Sequence, residues 1–357
     1  MNRRALLAFT AVFALSFPTR GTHAAAHHKK LLIGLSSPAL NEFYNHLEDF
    51  AKKGAQELGV DLIVLNADDK DEKQVADVED LIARGVDGVI VLPVTSAVAN
   101  TIFAKLEAAK IPYIDADRNP GIEPQTQFPH YLAFVGPDNV QAAYNIANYL
   151  IAHMSPGPDG VKRMVALEGR LGSTNSELRT KGLMKALAEH PDVKLLAKQT
   201  AGFDRDKGLS VMQDFLVANK DINAVWSAND AMALGAISAV KAAGKTQDIK
   251  VGGMDADRDA CQAVARGELS YTEGGHWLVG GFSLVMLYDY LHGIPVKKSE
   301  RWAEVRLMEV TTADAANGFI SKFHDQTAAY DWKKMSRFHN PAAPAAYFEI
   351  SLDKVAK

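Results

Sequence analysis

Residues 31–66 read LLIGLSSPALNEFYNHLEDFAKKGAQELGVDLIVLN, and their pattern decides the fold. Leu31–Ser36 is a short apolar run of strand length. Phe43, Leu47, Phe50, Ala51, Ala55 and Leu58 then recur at spacings of three and four, which puts them on one face of a helix. Val60–Asn66 is a second strand. A strand, a helix and a strand in this order make one βαβ unit with parallel strands.

Outward from this unit the rhythm continues. Val75, Val78 and Ile82, closed by Gly85, mark a helix with a glycine stop. Val86–Leu92, Pro112–Ala116 and Tyr131–Val135 read as strands, and Ser96–Ala109 as a helix. The strands are nearly continuous in Val, Ile and Leu rather than alternating, as in a parallel sheet covered by helices on both faces. Gly136-Pro137 punctuates the chain, and the rhythm then restarts. Asp138 can cap a helix to about His153. Met164–Glu168, Val193–Thr200, Ala224–Ser227 and Ile249–Met254 are strands, with helices at Ser176–Glu189, Asp206–Asn219, Ala231–Ala243 and Asp257–Arg266. The expected class is α/β, with two doubly wound parallel-sheet lobes. A strand at Leu269–Thr272, a helical stretch His276–Leu291 and a strand-like run Trp302–Val310 follow. Periodicity leaves open whether that last run rejoins the first sheet. From about Thr311 the chain carries Phe319, Phe323, Tyr330, Trp332, Phe338, Tyr347 and Phe348, which implies a packed extension.

The 357 residues suit two domains, and 47% apolar content is ample for their cores; a disordered or collagen-like chain is excluded. Lys and Arg number 39 against 43 Asp and Glu, with no long basic run, which argues against a nucleic-acid partner. Cys261 is the only cysteine, so no disulfide can form within the chain. The compartment is read from the start of the chain instead. Arg3 and Arg4, the uncharged stretch Ala5–Phe17 and the small residues Ala24-Ala25-Ala26 have the layout of a secretory signal peptide cleaved near Ala26. The apolar stretch is too short to span a bilayer, which takes about 20 residues. Removing 1–26 deletes Arg3, Arg4 and Arg20 and no acid, taking the formal charge from −4 to −7. A soluble exported protein is expected. His27 and His28 are adjacent near a terminus, and no metal site is assigned to them.

In an open parallel sheet ligands collect at the carboxyl ends of the strands. Those ends carry Asn41, Phe43 and Tyr44; Asp117 and Arg118; Arg179 after a loop; Phe203; Asn229 and Asp230; and Asp255. Flat aromatic faces mixed with Arg, Asp and Asn suit a polyhydroxylated ligand. Rings stack on C–H faces, Arg donates paired bonds to adjacent hydroxyls, Asp accepts, and Asn does both. Each residue also has a plainer reading. Asn229, Asp230 and Asp255 can be helix N-caps, Phe43 and Tyr44 can be core, and either Arg can pair with a surface carboxylate.

The segments Asn41-Glu42-Phe43-Tyr44, Asp117-Arg118, Arg179-Thr180-Lys181-Gly182-Leu183, Phe203 to Leu209, Asn229 to Ala236 and Gly252-Gly253-Met254-Asp255 carry a family resemblance. In order and spacing, over roughly residues 31–310, the chain resembles the type I periplasmic sugar-binding proteins, the ribose-binding group that feeds ABC importers. The resemblance implies hydroxyl contacts from Asn41, Asp117 and Arg118 on the first lobe and from Arg179, Asn229 and Asp255 on the second. Phe43 and Tyr44 would sandwich the ring against Phe203. It also implies a periplasmic monomer without cofactor, whose lobes close on a monosaccharide or polyol and are read by an ABC permease, or by a chemoreceptor or sensor kinase. Three crossings between lobes would give a first lobe of 31–136 plus about 275–303, and a second of 137–274 plus about 304–357 that carries the tail. The family's glutamine near the third crossing falls here in Gly274-Gly275-His276-Trp277, so His276 is the candidate substitute and Trp277 a candidate extra wall. Glu42 replaces a frequent proline, and the tail exceeds the ribose-type pattern.

The rival readings have little sequence support. The glycine fingerprints of dinucleotide and nucleotide binding and the serine and zinc hydrolase motifs do not occur. Gly169-Arg170-Leu171-Gly172-Ser173-Thr174 could cradle a phosphate, as many strand-to-helix turns could. A periplasmic sugar-modifying enzyme is the remaining catalytic alternative; Asp117 beside Arg118 suits hydroxyl acceptance better than proton transfer.

Overall fold

The structure is a computed structural model that describes residues 30–325 and 330–343. The expected signal segment, His27, His28, Tyr347 and Phe348 lie outside the described residues.

The first half alternates β1 (Leu32–Ser37), α1 (Glu42–Leu58), β2 (Asp61–Asn66), α2 (Asp71–Ala83), β3 (Gly88–Val91), α3 (Ser96–Ala109), β4 (Tyr113–Ala116) and β5 (Tyr131–Pro137). The second continues with α4 (Asn139–His153), β6 (Lys162–Glu168), α5 (Thr174–Glu189), β7 (Val193–Thr200), α6 (Arg205–Ala218), β8 (Ala224–Ser227), α7 (Asp230–Ala242), β9 (Lys250–Gly252) and α8 (Arg258–Ala265). Then come β10 (Thr272–Gly274), a 3₁₀ turn at His276–Leu278, α9 (Val279–Leu291), β11 (Trp302–Val305), β12 (Met308–Val310), α10 (Ala313–Phe319), a π-helical turn at Ile320–His324 and α11 (Trp332–Met335).

Two parallel sheets result. One has the order β11-β5-β4-β3-β1-β2 and the other β7-β6-β8-β9. Strands β3 to β5 are buried along their whole length, as continuous apolar runs between helical layers must be. Each sheet turns back on itself, at β1 in the first and β6 in the second, and such a switch point leaves a crevice beyond the strand ends.

The chain passes between the sheets at Pro137–Asp138, at Gly274–His276, and between β11 and β12. The run Trp302–Val310 is therefore two strands. β11 extends the first sheet beside β5, whereas β12 pairs antiparallel with β10. The tail differs from the expectation that it stays on the second lobe. α10 packs on α8, but α11 lies on α1 and α9 of the first. The cause is a slot between those helices. A Cβ on Gly281 would stand 2.2 Å from the Trp332 ring, so glycine makes the room that the indole fills. The Trp332 backbone N–H donates to Glu57 Oε2 at 3.0 Å. Buried Asp289 of α9 then takes the Ser336 hydroxyl at 2.6 Å and the backbone N–H groups of Arg337 and Phe338 at 2.8 and 3.2 Å.

Candidate functional site

A cavity of about 260 Å³ lies between the carboxyl ends of the two sheets. Asn41, Phe43, Tyr44, Asp117, Arg118, Arg179, Phe203, Asn229 and Asp255 line it, together with Asp69, Arg170 and Asn175. His276 is apart from this set. It is fully buried behind the wall, its ring 4.6 Å from that of Phe43 and its Nε2 3.4 Å from Asp255 Oδ1 and 3.9 Å from Asp117 Oδ1. Trp277 is also fully buried, behind Asp255 rather than on the cavity wall, so it is no extra wall.

On the first lobe, Asn41 is the N-cap of α1, its Oδ1 accepting the Tyr44 N–H at 2.9 Å. That spends the amide oxygen on the helix and leaves the NH₂ end for the cavity. Phe43 and Tyr44 pack edge to face at 5.2 Å, nearly buried, so they are core and cavity wall at once. Tyr44 OH accepts from Arg118 Nη2 at 3.1 Å, and burial pushes the phenol up to about 12. Arg118 is anchored from behind as well, Nη1 donating to the carbonyls of Pro93 (2.6 Å) and Val94. Gln74 fixes that loop by bonding Leu92 O and the Val94 N–H.

On the second lobe, Arg179 donates through Nε to Asn139 Oδ1 at 2.8 Å and through Nη1 to Ala228 O at 2.7 Å, with Asp255 Oδ1 at 3.6 Å. Its guanidinium carbon stands 5.6 Å from the centre of the Phe203 ring. Asn229 caps α7 through the Met232 N–H at 3.0 Å and also lines the cavity. Asp230 does not reach it; its carboxylate takes the Thr272 hydroxyl and the Asp257 N–H, and burial raises its pKa. Gly169 serves packing: a Cβ there would stand 2.1 Å from the Phe203 ring.

Four side-chain-bearing lining residues have left-handed backbones: Asp69 (φ 60°), Asp117 (φ 67°), Phe203 (φ 65°) and Asp255 (φ 126°). Such conformations are sparsely populated by side-chain-bearing residues and persist where surrounding structure holds them.

The lobes are closed on each other. Thr174 N–H donates to Ser96 Oγ at 3.2 Å, the Thr174 hydroxyl to Asn119 O, and Arg170 pairs with Asp69 at 2.7 Å. Inside, Asn175 Nδ2 donates to Asp117 Oδ2 at 3.3 Å while its Oδ1 accepts from Asn139 at 3.3 Å. A relay Arg179–Asn139–Asn175–Asp117 thus ties the second lobe to the first, and Asp117 Oδ1 is left without a hydrogen-bond donor. Asn175, Asp69 and Arg170 are absent from the sequence-derived set. Asn175 stands one helical turn before Arg179 on the same face, and Asp69 follows β2 as Asp117 follows β4; both signals are present in the sequence.

Residues 33–292 match the family described as the periplasmic binding protein domain. The chain is 34% identical over 272 residues to the ribose import binding protein RbsB of Salmonella typhimurium, covering 76% of this chain and 87% of that protein. Among solved structures it is similar to an ABC transporter solute binding protein from Bacillus halodurans with bound myo-inositol (TM-score 0.73, 28% identity, 82% and 98% coverage). A periplasmic sugar-binding protein from Pseudomonas fluorescens shares the fold at TM-score 0.81 and 24% identity, with 91% and 99% coverage. The paired lobes, the strand-end cavity and these matches along most of the chain agree, and the chain belongs to the type I periplasmic sugar-binding protein family.

Proposed function

We propose that this is an exported periplasmic protein that holds one neutral monosaccharide or polyol between its lobes and delivers it, in the closed form, to an ABC-type permease. The observation that carries this reading is the charge balance of the cavity. Asp69, Asp117, Asp204 and Asp255 face Arg118, Arg170, Arg179 and Arg205, so the lining presents many charged partners and no net charge. An organic acid anion or a polyamine would leave one sign uncompensated; a polyol uses both, donating to carboxylates and accepting from guanidiniums. The volume is near the low end of small-ligand pockets, roughly 300–1,000 Å³, and suits a single ring. Hydrogen bonds to charged groups contribute about 1.5–3 kcal/mol each, enough for a few to retain a ligand that water also solvates well.

Because acceptors and donors come from both lobes, the ligand binds the closed form better than either lobe alone, which is what shifts the equilibrium towards closure. Binding rather than catalysis is the better reading of the side chains. The lining hydroxyl, Tyr44, is held by Arg118 with its pKa raised, and Arg118 and Arg179 are committed to backbone and amide oxygens. A thermal-shift panel of aldoses, ketoses and polyols tests the reading. A ligand at a hundred times its Kd adds about 2.7 kcal/mol of stability. A rise with an amino acid or nucleoside, and none with any sugar or polyol, would reject it.

A further inference from the structure

Trp277 is fully buried where the chain crosses from β10 to α9, outside the cavity. Its indole N–H donates to the carbonyl of Asp255 at 3.1 Å. Asp255 is the lining residue with the most strained backbone, and its peptide is gripped on three sides. Its N–H donates to Glu273 O at 2.9 Å, its carbonyl meets the indole, and Gly274 packs so close that a Cβ there would stand 1.9 Å from Asp255 O. Rotation of that peptide would carry the carboxylate off its place beside Arg179.

The Trp277 ring is itself clasped from both sides. Phe50 of α1 stacks on it at 5.2 Å and 9°, and His46 meets its edge at 4.2 Å. From the tail come Phe319, Phe323 and His324, at 5.8, 5.3 and 5.6 Å. His324 touches both lobes. Its Nε2–H donates to Ala256 O at 2.9 Å, next to Asp255, while its ring stacks on His46 of α1 at 4.7 Å. Arg258, at the start of α8, pairs with the neighbouring Asp325 at 2.6 Å. Since α10 packs on α8 and Trp332 is seated between α1 and α9, the described parts of the tail lie on both lobes, beside the crossing at Gly274–His276.

We propose that Trp277 is a positioning residue for Asp255, and that the C-terminal tail, by clasping Trp277 and tying α8 to α1 and α9, sets how far the lobes open. The Trp277 half rests on the proposed sugar-binding function; the tail half does not.

The test uses the full mature chain with three variants. Trp277→Phe keeps the stacked ring and removes the indole N–H; His324→Ala removes the tail's contact with both lobes; Lys333→Ala, exposed on α11, is the control. Sugar affinity is measured by calorimetry. The interlobe distance without sugar is measured between spin labels at Glu72→Cys on α2 and Lys181→Cys on α5. Trp277→Phe is expected to weaken binding about tenfold, the loss of one hydrogen bond to a buried acceptor. Its effect disappears in an Asp255→Asn background, which a general loss of stability would not produce. His324→Ala widens the sugar-free distance distribution, and Lys333→Ala changes neither reading. Affinity within twofold of the parent in Trp277→Phe overturns the positioning role. An unchanged distance distribution in His324→Ala overturns the tail's role, and does so even if no sugar binds the parent protein, the result that would reject the function instead.

Discussion

Asp117→Asn separates binding from stability. Asp117 Oδ2 accepts from Asn175 at 3.3 Å, and Oδ1 is buried with no donor in hydrogen-bond reach. The amide has the same shape, so it can keep the Asn175 bond through its oxygen and must then turn its NH₂ towards the place of Oδ1. A ligand hydroxyl there loses a charged acceptor, worth about 1.5–3 kcal/mol, and meets a donor instead. The expected loss is about 1.5–3 kcal/mol, or roughly tenfold to a hundredfold in Kd. Stability is expected not to fall. Neighbouring Asp115 is buried and has its pKa raised first by burial and then by the charge of Asp117, so removing that charge relieves a repulsion. Calorimetric titration with the best ligand of the panel, alongside melting curves, reads both quantities. Affinity within twofold of the parent, in a variant that melts normally, would refute the assignment of Oδ1 to the ligand.

Two further outcomes follow from other parts of the molecule. Gly274→Ala places a methyl 1.9 Å from Asp255 O, a backbone atom that cannot swing aside, so a loss of about 2 kcal/mol or more in urea unfolding is expected; melting equal to the parent would contradict the packing. His46 is buried against His324 and Trp277, and burial first, then the positive charge of His324 and Arg258, lowers its pKa to about 3. A lowered folded pKa means that the unfolded chain binds the extra proton below its own value of about 6.5. Stability from this group is therefore present above about pH 6.5 and lost as pH falls towards 3, amounting to about 3 kcal/mol by pH 4. His46→Phe should flatten the fall in melting temperature between pH 7 and 4; an unchanged slope would show that His46 does not carry it.

Much of the fold is legible in the sequence because parallel strands covered on both faces must be largely apolar, as β3 and β5 are, while the edge strand β7 (VKLLAKQT) stays recognisable by its length and position although it is partly exposed. What escapes is pairing at a distance. Trp302–Val310 reads as one run, since no local feature shows that the chain leaves one sheet after Val305 and joins another at Met308. The tail's aromatic content predicts packing, but that Trp332 goes to the first lobe depends on the slot opened by Gly281, about fifty residues earlier and visible only when α1 and α9 are side by side. The site is legible where residue type and strand end coincide, as at Asp117-Arg118 and Asp255. At Asn229 capping and lining the cavity are not rivals, and Asn41 does the same on the first lobe, because one amide has an oxygen to spend on the helix and an NH₂ to offer the cavity. His276 is placed by sequence at a crossing between the lobes, but whether it faces the cavity depends on the turn after Gly275 (φ 105°), which sends the ring behind Phe43 and Asp255.

The most direct measurement is a crystal structure of the mature protein grown with the tightest sugar or polyol from the panel. The ring is predicted to lie between Phe43 and Tyr44 on one side and Phe203 on the other, with hydroxyls on Asp117 and Asp255 and guanidinium contacts from Arg118 and Arg179. A ligand bound elsewhere, or touching one lobe alone, would contradict capture between closing lobes.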